Sequence, residues 1–189
     1  SILLDKSKFE FFDYQSYKIH KKSIFEKYGL NNKFGNNIII ISFVGRLTKA
    51  KSIDLIIKLL SREDASKLFF MIIGSGDEYK NLYDLANKLN VLDKIHFFGK
   101  IYNQSEIKSI LSISDIFVCP RNLGLSVCTA LSAGIPIITT KNMKIQMPES
   151  ECLLGFEYAD FVDFEDQELL LDKINIMYKK IKSDTSSKM

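Results

Sequence analysis

The sequence has no tryptophan and is poor in the residues that build several common kinds of site. It contains two histidines, three prolines and three cysteines among 189 residues. Cys119, Cys128 and Cys152 form no CxxC pair and no disulfide framework, which favours small core side chains in a reducing, cytoplasmic compartment. Because two histidines are too few for a typical zinc site, the sequence predicts no metal centre.

The charge and hydropathy patterns exclude two further classes of protein. The net charge is only +3 and no basic patch is interleaved with aromatic residues, so we expect no nucleic-acid partner. No run of about 18 apolar residues is present to cross a membrane. The first residues, SILLDKSKFEF, lack the pattern of a signal peptide, and we expect a piece of a longer protein. The basic segment Lys18–Lys27 is either a solvated helix face or a contact with anionic lipid at the inner face of the membrane.

From Ile38 onward, apolar runs alternate with amphipathic segments. Buried strands are predicted over 38–44, 67–74, 94–99, 114–119 and 135–140, with a sixth short run at 151–156. Helices are predicted over 52–63, 77–90, 104–114, 124–134 and 166–182. This alternation predicts an α/β fold with a Rossmann-like parallel sheet flanked by helices. We divide the chain into a lead-in or interdomain linker with a short helix (1–37), the α/β domain (38–182) and a frayed tail (183–189).

Ligands of such sheets bind beyond the carboxyl ends of the strands. The loop after the first predicted strand carries basic residues. Gly45 permits a sharp turn there, and Arg46 and Lys51 flank a short loop. Two cations at this spacing suit a pyrophosphate, which offers separate oxygens to each. Ordinary surface charges on a solvated loop are the alternative.

Glycines follow the second and third predicted strands. Gly74, Ser75 and Gly76 precede a helix, where glycine permits close approach of the backbone to a ligand. The alternative for this turn is that Asp77 and Glu78 only cap the helix. After the third strand, Gly99, Lys100 and Ile101 form an edge on which we expect a base to stack.

The stretch PRNLGLSVCTALSAGIP (Pro120–Pro136), after the fourth strand, contains no Asp, Glu or His. Arg121 and Asn122 lie in its turn, and Gly124 and Leu125 open a helix whose first N–H groups predict an anion site. Arg121 is one of only three arginines in the chain, and Arg46 is another. Because two of the three arginines follow strand ends, we expect them to act as planar, forked donors to phosphate or carboxylate groups.

Three segments together resemble the nucleotide-sugar-binding C-terminal half of a GT-B glycosyltransferase of family 4 (glycosyl transferases group 1). They are residues 43–60, beginning FVGRLTKAKS, residues 71–101, beginning MIIGSGDEYK, and residues 114–140, beginning SDIFVCPRNLGLS. The resemblance implies one half of a GT-B fold, and the donor-binding half of a retaining enzyme. QMPE at Gln146–Glu149 is similar to a bacterial branch that makes capsule, O-antigen or other surface polysaccharides.

The resemblance also implies roles for individual residues. Arg46 and Lys51 match the pair that stabilises charge on the donor diphosphate as the glycosidic bond breaks. Gly124 and Leu125 match amides that touch the donor phosphates, and the turns at 74–76 and 99–101 match nucleotide contacts. The expected ligand is a UDP- or GDP-linked sugar, and neither a cofactor nor a metal is expected.

Two departures from the family pattern leave alternatives open. Arg121 and Thr129 replace a pair of glutamates that contact the donor sugar and ribose in the family, although the similar bacterial branch also lacks the first. Arg121 then faces an acidic sugar, a phosphate or solvent. The N-terminal acceptor-binding domain is absent, so the chain is expected to bind donor without transferring a hexose by itself. A degenerate, non-catalytic nucleotide-binding or scaffold domain is one alternative, and a flavodoxin-like sensor is another.

Overall fold

The apolar runs of the sequence form the strands of one parallel sheet in the computed structural model, which describes residues 22–30 and 38–186. All six residues of the second strand are buried, as expected for a strand covered on both faces. The strands are β1 (Ile39–Val44), β2 (Leu68–Ile73), β3 (Ile95–Gly99), β4 (Ile116–Cys119), β5 (Ile137–Thr140) and β6 (Ala159–Val162).

The strand order is β3-β2-β1-β4-β5-β6, with every neighbouring pair parallel. The order therefore reverses direction between β1 and β4. We call this place the switch point, and open α/β sheets form a ligand crevice there. The predicted fold class, a Rossmann-like sheet flanked by helices, is confirmed.

Buried polar groups hold β4 beside β1 at this switch point. The Asp115 carboxylate accepts a hydrogen bond of 2.7 Å from Ile40 N, and Asp115 N donates to Ile40 O at 2.8 Å. Ser114 Oγ also lies 2.7 Å from Ser42 Oγ. These buried groups have partners in one register only, so they specify how the two halves of the sheet join.

Helices connect the strands at the predicted places, with shorter bounds for most. Residues 22–27 are helical and are called α1 here. The others are α2 (Asp54–Leu60), α3 (Tyr79–Lys88), α4 (Gln104–Leu111), α5 (Ser126–Ser132) and α6 (Gln167–Ser186). Asn103 caps the start of α4, since its Oδ1 accepts from the backbone N of Ser105 at 2.9 Å.

The predicted sixth strand at 151–156 is wrong. Pro148–Leu153 forms 3-10 turns, and Leu154 is 62% exposed, so this apolar run does not enter the sheet. The sixth strand is β6, whose first three residues are only half-buried at the sheet edge. Its apolar signal is weak for that reason.

The ends of the domain also differ from the predicted bounds. Helix α6 continues to Ser186, past the predicted start of a frayed tail at residue 183, and Tyr158 Oη donates to Asp184 near its end at 3.0 Å. Residues 187–189 lie outside the described part. Within the predicted linker, Ile24, Phe25 and Leu30 are buried in the main core. Residues 1–21 and 31–37 of that prediction also lie outside the described part.

The same burial bears on the predicted membrane contact of the basic segment. The apolar side chains of α1 pack into the protein, and Lys27 Nζ lies 2.6 Å from Glu106 on α4. In the described part of this segment, the apolar face therefore packs against the domain, and Lys27 forms an ion pair with it. Contact with lipid stays a prediction.

Candidate functional site

The carboxyl ends of the six strands lie along one edge of the sheet, where the loops carry most of the predicted site residues. A cavity of about 490 Å³ opens beyond β1, β2 and β3. We call it the β1–β3 cavity. Its lining combines two cations with aliphatic side chains: Val44, Gly45, Arg46, Ile73, Gly74, Ser75, Gly76, Lys100, Ile101 and Ile107. Seven of these ten residues were predicted from the sequence to bind the donor.

The two glycines of the GSG turn, Gly74 and Gly76, pack against the loop after β1. A Cβ atom on Gly74 would lie 1.9 Å from Gly45 O, and one on Gly76 would lie 2.1 Å from Leu47 O. Leu47 N donates to Ser75 O at 3.0 Å, which holds the turn against the loop after β1. The neighbouring loop therefore requires glycine at both positions, and close approach of a ligand to this turn stays a prediction.

The acidic residues after this turn do not cap α3 in the expected way. Glu78 is the N-cap residue, but its carboxylate accepts from Asn81 Nδ2 at 3.1 Å. The Asp77 carboxylate lies 3.9 Å from Arg46 Nη2.

Arg46 is at the mouth of the β1–β3 cavity and is accessible to a ligand. Its side chain is 72% exposed and that of Asp77 is 87% exposed. Exposed ion pairs of this kind contribute little to stability, so an anionic ligand can compete for the guanidinium.

Lys51 lies at the switch point between β1 and β4. Its Nζ donates to the backbone carbonyl of Asn122, and Asn122 Nδ2 donates to Ala50 O at 3.0 Å. These reciprocal bonds join the loop after β1 to the loop after β4. Because an ammonium has three N–H donors, Lys51 keeps donors for a phosphate oxygen beside this carbonyl.

Gln146 fixes the loop after β4 from a distance in sequence. Its Oε1 accepts from Leu123 N at 2.9 Å, and its Nε2 donates to Thr139 Oγ1 at 2.6 Å. Asn122 N also donates to Ile145 O at 3.1 Å, while Asn122 itself has a positive φ of 51°. The sequence marked the QMPE motif only as a family signature, and its first residue has this structural role.

Gly124 and Leu125 lie on the surface where α5 begins. Leu125 is 73% exposed, and a Cβ atom on Gly124 would meet no heavy atom of the described residues within 4 Å. Thr129 lies half-buried in the second turn of α5. Gly99 contributes its carbonyl to the neighbouring loop, where it accepts from Gly74 N at 2.8 Å.

The cysteines divide into different environments. Cys119 ends β4, is fully buried, and its Sγ contacts Arg121 O at 3.3 Å. Burial raises the pKa of its thiol to about 11, so Cys119 is a neutral core group, as predicted. Cys128 is exposed and Cys152 is half-buried, so the prediction of core cysteines is wrong for Cys128.

A second cavity, of about 460 Å³, opens beyond β4, β5 and β6. We call it the β4–β6 cavity. It is lined by Leu55, Pro120, Arg121, Thr140, Lys141, Asn142, Ile145, Asp163, Phe164 and Glu165. Arg121 Nη2 lies 2.8 Å from Glu165 Oε1, and Lys141 Nζ lies 3.5 Å from Asp163 Oδ2. Of this lining, only Arg121 was predicted from the sequence. Asp163, Phe164 and Glu165 follow β6, whereas the sixth strand was predicted at 151–156.

Fold and site together define an α/β protein whose switch-point edge carries cations and two neighbouring cavities. Residues 22–180 match the model of the family described as glycosyl transferases group 1. The chain belongs to this family.

Known relatives resemble the chain in sequence, and solved structures resemble it in fold. The chain is 31% identical over 105 residues to the O-antigen biosynthesis glycosyltransferase WclY of Escherichia coli, covering 54% of this chain and 28% of that protein. WaaG, a glycosyltransferase involved in lipopolysaccharide biosynthesis, superposes with a TM-score of 0.65 at 18% identity, over 82% of this chain and 42% of that one. HepE of Anabaena, solved with UDP and glucose, gives 0.53 at 12% identity, over 89% and 52%.

These comparisons show a GT-B-like fold and a family with members in polysaccharide biosynthesis. The chain spans well under half the length of the curated relatives it matches.

Two absences among the described residues concern metals and membranes. No group of three or more His, Cys, Asp or Glu side chains in residues 22–30 and 38–186 is placed to hold a metal ion. No helix in the same ranges is long and apolar enough to cross a membrane. The absence of a metal or cofactor, and a cytoplasmic location at the inner face of the membrane, stay predictions.

Proposed function

We propose that this chain is the nucleotide-sugar-binding, C-terminal half of a retaining family 4 glycosyltransferase for a bacterial surface polysaccharide. The observation that carries the proposal is the β1–β3 cavity, which brings the loops after three strands together around Arg46. Its aliphatic wall of Val44, Ile73 and Ile101 suits a base and ribose, which need apolar contact with few directed polar groups.

The diphosphate of the donor lies, in this proposal, between the β1–β3 cavity and the switch point. Arg46 reaches it from the cavity mouth, and Lys51 reaches it beside the Asn122 carbonyl. The turn at Gly124 and Leu125 presents the start of α5 from the other side. These groups stabilise the negative charge that develops on the leaving nucleotide when the bond to the sugar breaks.

Support for a uridine nucleotide comes from neighbours of the same fold. HepE of Anabaena is solved with UDP and glucose, and the pneumococcal O-GlcNAc transferase GtfA with UDP and GlcNAc. Transfer itself needs an acceptor-binding half, which we place outside this chain because of its short span relative to the relatives. The chain alone is therefore expected to bind donor without turnover.

Nucleotide titration tests the proposal. UDP and GDP are titrated by calorimetry into the wild-type chain, into Arg46→Ala and into Arg62→Ala. Arg62 is the matched control, because it is also an arginine with a carboxylate partner, Asp64 at 2.7 Å, and lies outside both cavities. We expect Arg46→Ala to weaken the preferred nucleotide about tenfold or more, the loss of one charge-assisted hydrogen bond, and Arg62→Ala to leave it unchanged. Equal affinity in all three proteins would refute the site.

A second candidate function is a non-catalytic nucleotide-binding or scaffold domain. It is favoured by Arg121 and Thr129 at the positions of the family's two glutamates, and by the engagement of Arg121 with Glu165. Release of UDP from a UDP-sugar by the full-length protein decides between the two. Tight nucleotide binding with no release in the presence of the acceptor-binding half would favour the scaffold.

A further inference from the structure

The β4–β6 cavity carries two cations and two carboxylates, and they are paired. Arg121 Nη2 lies 2.8 Å from Glu165 Oε1, and Lys141 Nζ lies 3.5 Å from Asp163 Oδ2. The formal charge of the lining is therefore zero, although the cavity is strongly polar. Leu55, Ile145 and Phe164 add an apolar part to the same lining.

This arrangement differs from a site for an anion. A carboxylate ligand would have to displace Glu165 from Arg121, or Asp163 from Lys141, and would then lie beside the displaced carboxylate. Like charges at such distances oppose binding. Arg121 is therefore already paired, at 2.8 Å against the 3.9 Å between Arg46 and Asp77, and an acidic sugar is the less favourable of its possible ligands.

A neutral polyol suits the cavity better. Each hydroxyl group both donates and accepts, so neighbouring hydroxyls can donate to a carboxylate and accept from the cation paired with it. The apolar side chains suit the C–H faces of a sugar ring. The exposed fractions of Arg121 (40%) and Glu165 (63%) leave both side chains accessible to such a ligand.

The position of the cavity connects it with the proposed diphosphate site. Arg121 lines it, and the next residue, Asn122, supplies the carbonyl that Lys51 contacts. Strands of a sheet lie about 4.8 Å apart, so the end of β5 is roughly 10 Å from the end of β1. A ligand that extends along the sheet edge from the β1–β3 cavity across the switch point reaches this cavity next.

We infer that the β4–β6 cavity binds the sugar of the donor, that it selects a neutral sugar, and that Glu165 is a specificity-determining residue through hydrogen bonds it accepts from sugar hydroxyls. This inference rests on the proposed function. It assigns a carboxylate from the end of β6 to donor recognition, 44 positions along the chain from its partner Arg121.

The test compares UDP, UDP-glucose and UDP-glucuronate in calorimetric titrations of the wild-type chain, Glu165→Gln and Glu157→Gln. Glu157→Gln is the matched control: Glu157 is similarly exposed (67%), and it pairs with Lys180 at 3.1 Å away from both cavities. Both substitutions remove one negative charge without changing the side-chain volume. If GDP binds in place of UDP, GDP-mannose and GDP-mannuronate replace the uridine pair.

We expect wild type to bind UDP-glucose at least about fivefold more tightly than UDP or UDP-glucuronate. Glu165→Gln should bind UDP as wild type does, but lose most of the gain in affinity that wild type shows for UDP-glucose over UDP. Its preference should move toward UDP-glucuronate, because Arg121 is then unpaired. Glu157→Gln should match wild type with all three ligands.

The outcomes distinguish a failure of this inference from a failure of the proposed function. Binding of neither UDP nor GDP would overturn the proposed function and this inference with it. Normal UDP binding with an unchanged gain from glucose in Glu165→Gln would overturn the inference alone. A wild-type preference for UDP-glucuronate over UDP-glucose would also overturn it.

Discussion

Replacing Gly74 by alanine should destabilise the domain strongly, whereas the same replacement at Gly124 should leave its stability nearly unchanged. The built Cβ atom at Gly74 lies 1.9 Å from Gly45 O, a backbone atom that cannot rotate away. Contacts of real Cβ atoms essentially never fall below 3.0 Å, so the two loops would have to separate by about 1 Å. Gly74 also has φ of +146°, a conformation that L side chains rarely adopt.

The magnitude follows from these two costs. Overpacking of a well-packed region costs typically about 1–3 kcal/mol, and a residue held in unfavourable backbone dihedrals costs a similar amount. Gly74→Ala should therefore lower the free energy of unfolding by roughly 2–6 kcal/mol, a large part of the 5–15 kcal/mol typical of a domain. Gly124→Ala meets no heavy atom of the described residues within 4 Å and should change stability by less than about 0.5 kcal/mol.

Urea unfolding followed by circular dichroism measures the difference directly. For a domain of this size each kcal/mol corresponds to a shift of about 2–4 °C in Tm, so a thermal scan provides an independent check. Gly76→Ala, with its Cβ atom 2.1 Å from Leu47 O, should behave like Gly74→Ala. If Gly74→Ala and Gly124→Ala unfold at the same urea concentration, the packing role assigned to the GSG turn is refuted.

Two further predictions concern the loop after β4 and the end of α6. Gln146→Ala leaves the backbone N of Leu123 without its acceptor and should lower the free energy of unfolding in urea by about 1–3 kcal/mol. Gln104→Ala, at an exposed position, should lower it little, and equal unfolding midpoints of the two variants would contradict this prediction. Burial, aided by the bond to Asp184, raises the pKa of Tyr158 to about 12, so its contribution to stability is complete below pH 10 and is lost between pH 10 and 12. Tyr158→Phe should lose less stability than wild type across that interval, and parallel curves would count against the argument.

The strands and the position of the candidate site could be predicted because both depend on local signals. β2 is a continuous apolar run, and β1 is apolar except at Ser42, so both are long enough to fill a doubly covered strand. The carboxyl-end rule then indicates which loops to examine, and it correctly brings Arg46 together with the turns at 74–76 and 100–101. β6 gave no comparable signal, since a half-buried edge strand needs fewer apolar residues.

Other features depend on tertiary contacts that no local pattern contains. The GSG turn has the same sequence whether or not its glycines pack against a neighbouring loop, and only the distance from the Cβ position of Gly74 to Gly45 O shows that they do. Gln146 likewise has a role only because the fold places it beside Leu123 and Thr139. Sequence spacing cannot distinguish such a residue from an exposed glutamine.

The electrostatics of Arg121 depend most strongly on the full fold. Within Pro120–Pro136 there is no acidic residue, so local sequence presents Arg121 as an uncompensated cation and favours an anionic ligand. The sheet order places the end of β6 near β4 with only β5 between them, and Glu165 then contacts Arg121 at 2.8 Å. An error in the position of one edge strand therefore reverses the expected charge preference of the cavity, because the carboxylates that neutralise it follow that strand.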